Sequence, residues 1–277
     1  MKRRRPILAL LVDMLAAPLG HLYVGAPVRG LVLTVAALLV GLLGIVSGLR
    51  GVASFPVMCL VVIVAALVPP IDAYVLARRV GPSYRLKSYN RWFAYLGAFV
   101  VLAGAGELLS REVRHDVVEG YKIPAASMVP TLQVGDRILA DKMVYRSDAP
   151  QRGDIVVFES PQDATRTYVK RVIGLPGETI EIRDRNVWIN GSELQEPYAV
   201  HTETKIEPGK IRDQLRPIRV PDGSYFMMGD NREHSHDSRF WGPVARDKIW
   251  GRVRTIYFSW AVETLSVRWD RIGMALD

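Results

Sequence analysis

Ser127 stands alone in IPAASMVPTL, residues 123–132, between small residues, a Met and a Pro that blocks helix continuation. Such a serine is a candidate nucleophile, but an unassisted hydroxyl is hardly ionised near neutral pH and needs a base. Two sources of one compete. His234 and His236 in GDNREHSHDSR could join Asp230 or Asp237 in a Ser, His and Asp arrangement. Lys170 in TYVKRVIGLPG is the other: on a strand it shares a face with Tyr168 and Val172, where apolar surroundings disfavour the ammonium and lower its pKa. A strand lysine is most often a solvated charge and a histidine pair in a polar loop most often a solvated surface, so residue chemistry alone leaves the base open. Pro124 and Pro130 fix φ on either side of Ser127, which favours a defined attack geometry.

The elements that must position these groups read as β. Arg137–Ala140, Asp154–Phe158, Thr167–Ile173, Thr179–Arg183, Val187–Ile189, Tyr225–Met228 and Arg252–Phe258 are short β-rich runs separated by turn residues, the pattern of an antiparallel β protein. The DRN around Asp184 and the NG at Asn190 and Gly191 predict hairpin turns. No long helix, repeat, GxSxG elbow, P-loop or zinc pattern stands out in this half, and no metal or organic cofactor is expected.

Ahead of that half the chain changes character. Of 277 residues 49% are hydrophobic, and the apolar ones concentrate in uncharged runs, Leu31 to Leu49 and Val52 to Ile71, each matching the ~20 residues that cross a bilayer as a helix. A third run, Trp92 to Ser110, carries only Glu107. The expected organisation is a membrane region, residues 1–110, with about three spans, then a mainly-β domain, residues 111–277. The loop RRVGPSYRLKSYNR holds Arg78, Arg79, Arg85, Lys87 and Arg91 and no acid, so it should be cytoplasmic and the β domain extracytoplasmic. Pro6 to Gly20 is short, carries Asp13 and is broken by Pro18 and Gly20, which suits a re-entrant or interfacial hairpin better than a span. MKRRRPILALL also has the charged start and apolar core of a cleavable signal, although a retained anchor fits the spans that follow. Cys59, the single cysteine, lies in an apolar run, so the β domain is expected to be disulfide-free and to rely on its own core. The formal charge of +8 includes membrane-flanking Lys and Arg, where attraction to anionic lipid is the ordinary reason; no nucleic-acid partner is expected.

Four segments in order, SMVPTL, RGDIVVF at Arg152–Phe158, KRVIGLPGE at Lys170–Glu178 and GDNREHSHDSRFWG at Gly229–Gly242, resemble the type I signal peptidases, membrane-bound Ser/Lys peptidases that remove signal peptides from exported proteins. The resemblance covers nearly all of residues 118–260 and is weak over the first 90. It implies a signal-peptidase-like antiparallel β fold, signal peptides of exported preproteins as substrate, membrane lipid as surroundings and the cytoplasmic membrane as location. It makes Ser127 the nucleophile and Lys170 its general base. Ser235 matches the serine that hydrogen-bonds and orients the lysine amine. Asp230 with Arg171, and Asp237 with Arg239, are implied as ion pairs of the scaffold. His234 and His236 fall at positions the family leaves variable. Tyr121 to Ala125 and Thr167 to Lys170 would flank an extended substrate as added strands. With Tyr121 in that flank, Ile123, Met128, Leu132, Tyr168 and Val169 match the pocket residues that admit small side chains.

One departure stands out. Many relatives carry Ser or Thr two residues before the nucleophile, as an oxyanion donor beside the nucleophile's own N–H; this sequence has Ala125. Soluble self-cleaving repressors also use a Ser/Lys dyad, but they carry a DNA-binding helical module where this chain has apolar spans. An inactive peptide-binding relative, or one specialised for a pilin or a single substrate, is the remaining alternative.

Overall fold

The structure, a computed structural model, describes residues 4–49, 54–80, 84, 87–203 and 209–276, and forms two compact units, Met1–Glu112 and Val113–Asp277. Arg85, Ser83 and the first three residues of MKRRR lie outside the described residues.

The first unit is helical: α1 (Pro6–Leu15), α2 (Leu19–Val24), α3 (Pro27–Leu49), α4 (Phe55–Arg79) and α5 (Trp92–Asp116). Among the described residues α3, α4 and α5 are long and apolar enough to cross a membrane. α3 and α4 pack together where side chains are missing: a Cβ on Gly44 would lie 2.8 Å from Val61 Cγ1, and one on Gly48 2.5 Å from Met58 Sδ. α5 runs past Ser110 into the charged SREVRHD, helped by the Glu107–Arg111 pair one turn apart.

The Pro6–Gly20 stretch is two short helices with a break at Ala16–Pro18, and Asp13 explains the buckle. Its Oδ1 accepts the N–H groups of Gly20 at 2.8 Å and His21 at 3.3 Å, which pulls the start of α2 back against α1. The His21 ring bridges Asp13 at 3.2 Å and Asp72 of α4 at 3.0 Å, and Arg29 closes the chain on Asp72 at 2.6 Å. An apolar-looking terminus is thus fastened by a chain of polar contacts, Asp13 to His21 to Asp72 to Arg29.

The second unit is antiparallel β. Its strands are β1 (Val118–Lys122), β2 (Asp136–Asp141), β3 (Ile155–Glu159), β4 (Thr167–Gly174), β5 (Thr179–Arg183), β6 (Asn186–Ile189), β7 (Ser192–Glu193), β8 (Leu215–Arg219), β9 (Ser224–Met228), β10 (Val244–Ala245), β11 (Ile249–Ala261) and β12 (Ser266–Val267). The larger sheet runs β1-β2-β11-β3-β4-β9-β10 with β12 on β11, and the smaller runs β7-β6-β5-β8. β3 is buried on both faces, which is why IVVF reads as an unbroken apolar run. Ile155 and Val157 enter a cluster with Met128, Leu132, Ile138 and Ile256, while Val156 and Phe158 enter another with Val172, Met227 and Ile249.

Both hairpin turns are where DRN and NG place them: Asp184 and Arg185 join β5 to β6 at φ 47° and 73°, and Asn190 and Gly191 join β6 to β7 at 51° and 84°. Two strands of substance escaped the β pattern. β1, VEGYK, has a glycine and two charges in five residues, and β8, LRPIR, holds Pro217, which a strand tolerates at a sheet edge, where β8 lies.

Candidate active site

Ser127 sits in a single 3₁₀ turn, Ala126–Met128, after the extended Ala125. Its Oγ is 2.5 Å from the Lys170 amine, which β4 delivers from across the sheet. Lys170 is 3% exposed, and burial pushes its amine down to about 8; Asp237 and Asp230 pull it up in part while Arg239 pushes it down further. An amine with that value is about half neutral near pH 8 and so is a usable base there, which an ordinary lysine is not.

The two groups are clamped from the loop after β9. Arg171, next to Lys170, makes a two-pronged bond to Asp230, Nε to Oδ1 at 2.9 Å and Nη2 to Oδ2 at 2.7 Å, and Thr131 Oγ1 donates to the same carboxylate at 2.5 Å. The Asn231 N–H donates to the Ser127 carbonyl at 3.2 Å and its Nδ2 to the Ala126 carbonyl at 3.1 Å. Gly229 is there because nothing larger fits: a Cβ would lie 2.3 Å from Ser235 Oγ and 2.4 Å from the Ser127 carbonyl oxygen. Asp237 shapes the same loop, accepting from Gly229 N–H at 3.0 Å and from Arg239 at 2.8 Å through both Nε and Nη2. Burial raises the Asp237 carboxyl, and Arg239, with smaller help from Ser235 and the Gly229 N–H, outweighs it, so it is held below its ordinary value.

Both predicted ion pairs are therefore made, and both are buried. Ser235 is buried beside Gly229, near enough to Asp237 to help hold that carboxylate ionised, but its Oγ makes no hydrogen bond and in particular none to Lys170. The amine instead gives its bond to Ser127.

A groove of about 390 Å³ opens over the pair. One wall is Tyr121 to Ala125 and the other Thr167 to Lys170, with Ser127 and Met128 between them. Ile123, Tyr168 and Val169 line it as well, whereas Leu132 is wholly buried behind it in the cluster that includes Met128. Both walls offer free backbone edges. β1 ends its sheet, and the Thr167–Lys170 part of β4 pairs with β3 on one side only, since β9 takes up pairing at Arg171.

Sequence reasoning gave no role to Asn231, Thr131 or Gly229, although Gly229 and Asn231 stand in GDN, a glycine and an amide beside a buried acid. His234 and His236 line the groove and are exposed. His236 stacks on Phe240 at 4.7 Å and meets Trp241 edge-on at 4.8 Å, and Trp241 in turn stacks on Tyr168 at 5.3 Å. Among the described residues no cluster of three His, Cys, Asp or Glu could hold a metal ion.

Residues 91–260 match the family described as signal peptidase, peptidase S26. A probable signal peptidase I-2 of Synechocystis is 40% identical over 68% of this chain and 79% of its own length. Signal peptidase I of Leptolyngbya laminosa is 40% identical over 54% and 73%, and signal peptidase I T of Bacillus subtilis 37% over 63% and 88%.

Proposed function

Since this chain belongs to the signal peptidase family, peptidase S26, we propose that it cuts with Ser127 as nucleophile and Lys170 as general base. It is a serine peptidase, and its substrates are preproteins that carry signal peptides. The observation that carries the residue assignment is the 2.5 Å contact between Ser127 Oγ and a buried amine pushed down to about 8.

Neutral Lys170 takes the Ser127 proton as Oγ attacks the scissile carbonyl, and the resulting ammonium protonates the leaving amine as the tetrahedral species collapses. Water then attacks the acyl-enzyme, with Lys170 again as base, and frees Ser127. The substrate lies extended between Tyr121–Ala125 and Thr167–Lys170, pairing with the free edge of each, so that alternate side chains meet Ile123, Met128 and Val169. Ile123 and Met128 are themselves nearly buried, and small side chains are the ones we expect them to admit. Incubation of the purified chain with preproteins in detergent, followed by N-terminal sequencing of the products, tests the reaction and the cut site together. Intact preprotein with wild-type chain and no Ser127-dependent product would refute the assignment.

Ala125 leaves one oxyanion donor missing, so Ala125→Ser should raise kcat by about tenfold with little change in KM, short of the ~10²–10³ that a full donor is worth in a serine protease. An unchanged kcat in a folded variant would mean that the hole is complete without that hydroxyl.

We place the peptidase unit outside the cytoplasm and the loop between α4 and α5 inside, on the charge of that loop. In a Cys59→Ala background, a cysteine at Ser83 should resist a membrane-impermeant thiol reagent in intact cells. One at exposed Ser192 should react once the outer compartment is open. The reverse pattern would put the peptidase unit in the cytoplasm.

A further inference from the structure

The charge of the molecule is unevenly divided. Residues 1–112 hold twelve Lys and Arg against four Asp and Glu, a balance equal to the formal +8 of the whole chain. Of the four acids, Asp13 is taken by α2 and His21, Asp72 by His21 and Arg29, and Glu107 by Arg111; Glu112 stands near the far end of α5. None of them bonds to Arg4.

Arg4 is 7% exposed, and its Nε and Nη2 are buried without a hydrogen-bond partner among the described residues. The rings of Tyr23 and Tyr84 lie 4.2 and 4.3 Å from its Cζ. Their faces offset part of the desolvation of the cation, but the donors in the guanidinium plane stay unmet. Both rings are held in place: Tyr23 OH accepts the Arg5 N–H at 3.2 Å, and Tyr84 OH donates to Asn90 Oδ1 at 3.0 Å. Nε and Nη2 form the edge with which arginine grips the paired oxygens of a carboxylate or phosphate. Two residues on, α1 begins with no side-chain cap, so its first-turn amides add the positive end of a helix to the same end of the chain. α1 also exposes Ile7, Leu11, Met14 and Leu15, each more than half open, a surface suited to hydrocarbon.

We propose that Arg4 anchors a site for a phosphate group, and that the group is the phosphodiester of an anionic phospholipid. A buried cation with an empty two-donor edge calls for an anion, and the apolar surface of α1 favours one that carries acyl chains. The lipid half of this assignment rests on the membrane placement proposed above, whereas the anion half does not.

The full chain, stripped of lipid in an uncharged detergent, is titrated in parallel with dioctanoyl phosphatidylglycerol, inorganic phosphate and dioctanoylglycerol, with binding read by native mass spectrometry and calorimetry. One phosphatidylglycerol should bind per chain, and Arg4→Gln should weaken it about tenfold or more, the range of a lost charge-assisted hydrogen bond. Arg4→Lys, which keeps the charge and loses the fork, should weaken it by a few fold. Exposed Arg91 is the control for diffuse attraction, and Arg91→Gln should change little. Circular dichroism and gel filtration establish that each variant is folded; if Arg4→Gln is not, the loss in Arg4→Lys carries the test. Equal weakening by Arg4→Gln and Arg91→Gln, undiminished binding in Arg4→Lys and Arg4→Gln, or dioctanoylglycerol binding as well as phosphatidylglycerol would overturn the site. Saturation by inorganic phosphate without response to phosphatidylglycerol would keep the anion and overturn the lipid.

Discussion

Lys170→Ala should lower preprotein cleavage by about 10³-fold or more, the range lost when a positioned general base is removed. The double variant His234→Ala with His236→Ala should keep kcat, because neither ring bonds to Ser127 while the Lys170 amine lies 2.5 Å from it. Both rings line the groove, so any effect of removing them belongs in KM. The pH profile separates the two bases further. Only the neutral amine accepts the Ser127 proton, so the rate should climb as pH rises through about 8 and then level off. A profile that turns near 6.5, the ordinary histidine value, or a Lys170→Ala variant with full activity, would remove Lys170 from the mechanism.

The second large effect is on stability. Asp237 and Arg239 are both buried, and Arg239→Met removes the one guanidinium that bonds to the carboxylate among the described residues; breaking such a pair costs about 3–5 kcal/mol. Against a typical total of about 5–15 kcal/mol, that is enough to lower Tm visibly. Asp237 is held below its ordinary carboxylate value, so the folded state keeps it ionised where the unfolded chain would take up a proton. Its contribution is complete above the ordinary carboxylate range and is lost as pH falls through the lower folded value. Thermal melts of the full chain from about pH 7 down to about pH 3 should show this acid-side loss in wild type and a shallower one in Arg239→Met. Equal Tm values for the two proteins at neutral pH would show the pair to be dispensable.

What could be read in the sequence follows from what each residue senses. IVVF and TYVKRVIG are strands because β-branched residues packed on both faces leave little else for them to be, and the turns fall at Asp184, Asn190 and Gly191, types that tolerate positive φ, with Arg185 carried into it beside Asp184. Ser127 and Lys170 were identified through the order of four segments, since strand periodicity alone treats Lys170 as one more polar side chain. The Thr131 and Asn231 contacts of the clamp were out of reach for a different reason. Thr131 meets Asp230 across 99 positions and Asn231 Nδ2 meets the Ala126 carbonyl across 105, contacts that no local pattern encodes. Leu132 and Met128 looked alike as apolar residues near a nucleophile. Only the path of the loop decides that Met128 lines the groove and Leu132 lies behind it.

The groove presents two open strand edges, and this limits when a chain can be cut. A segment can pair with those edges only while its own amides and carbonyls are uncommitted. Residues that have already entered a helix or sheet have spent them and have nothing to offer. Cleavage is thus in a race with the folding of the residues beside the cut. A passenger whose first residues fold early is processed slowly however good its small side chains are, and a few unstructured residues after the cut hasten its release.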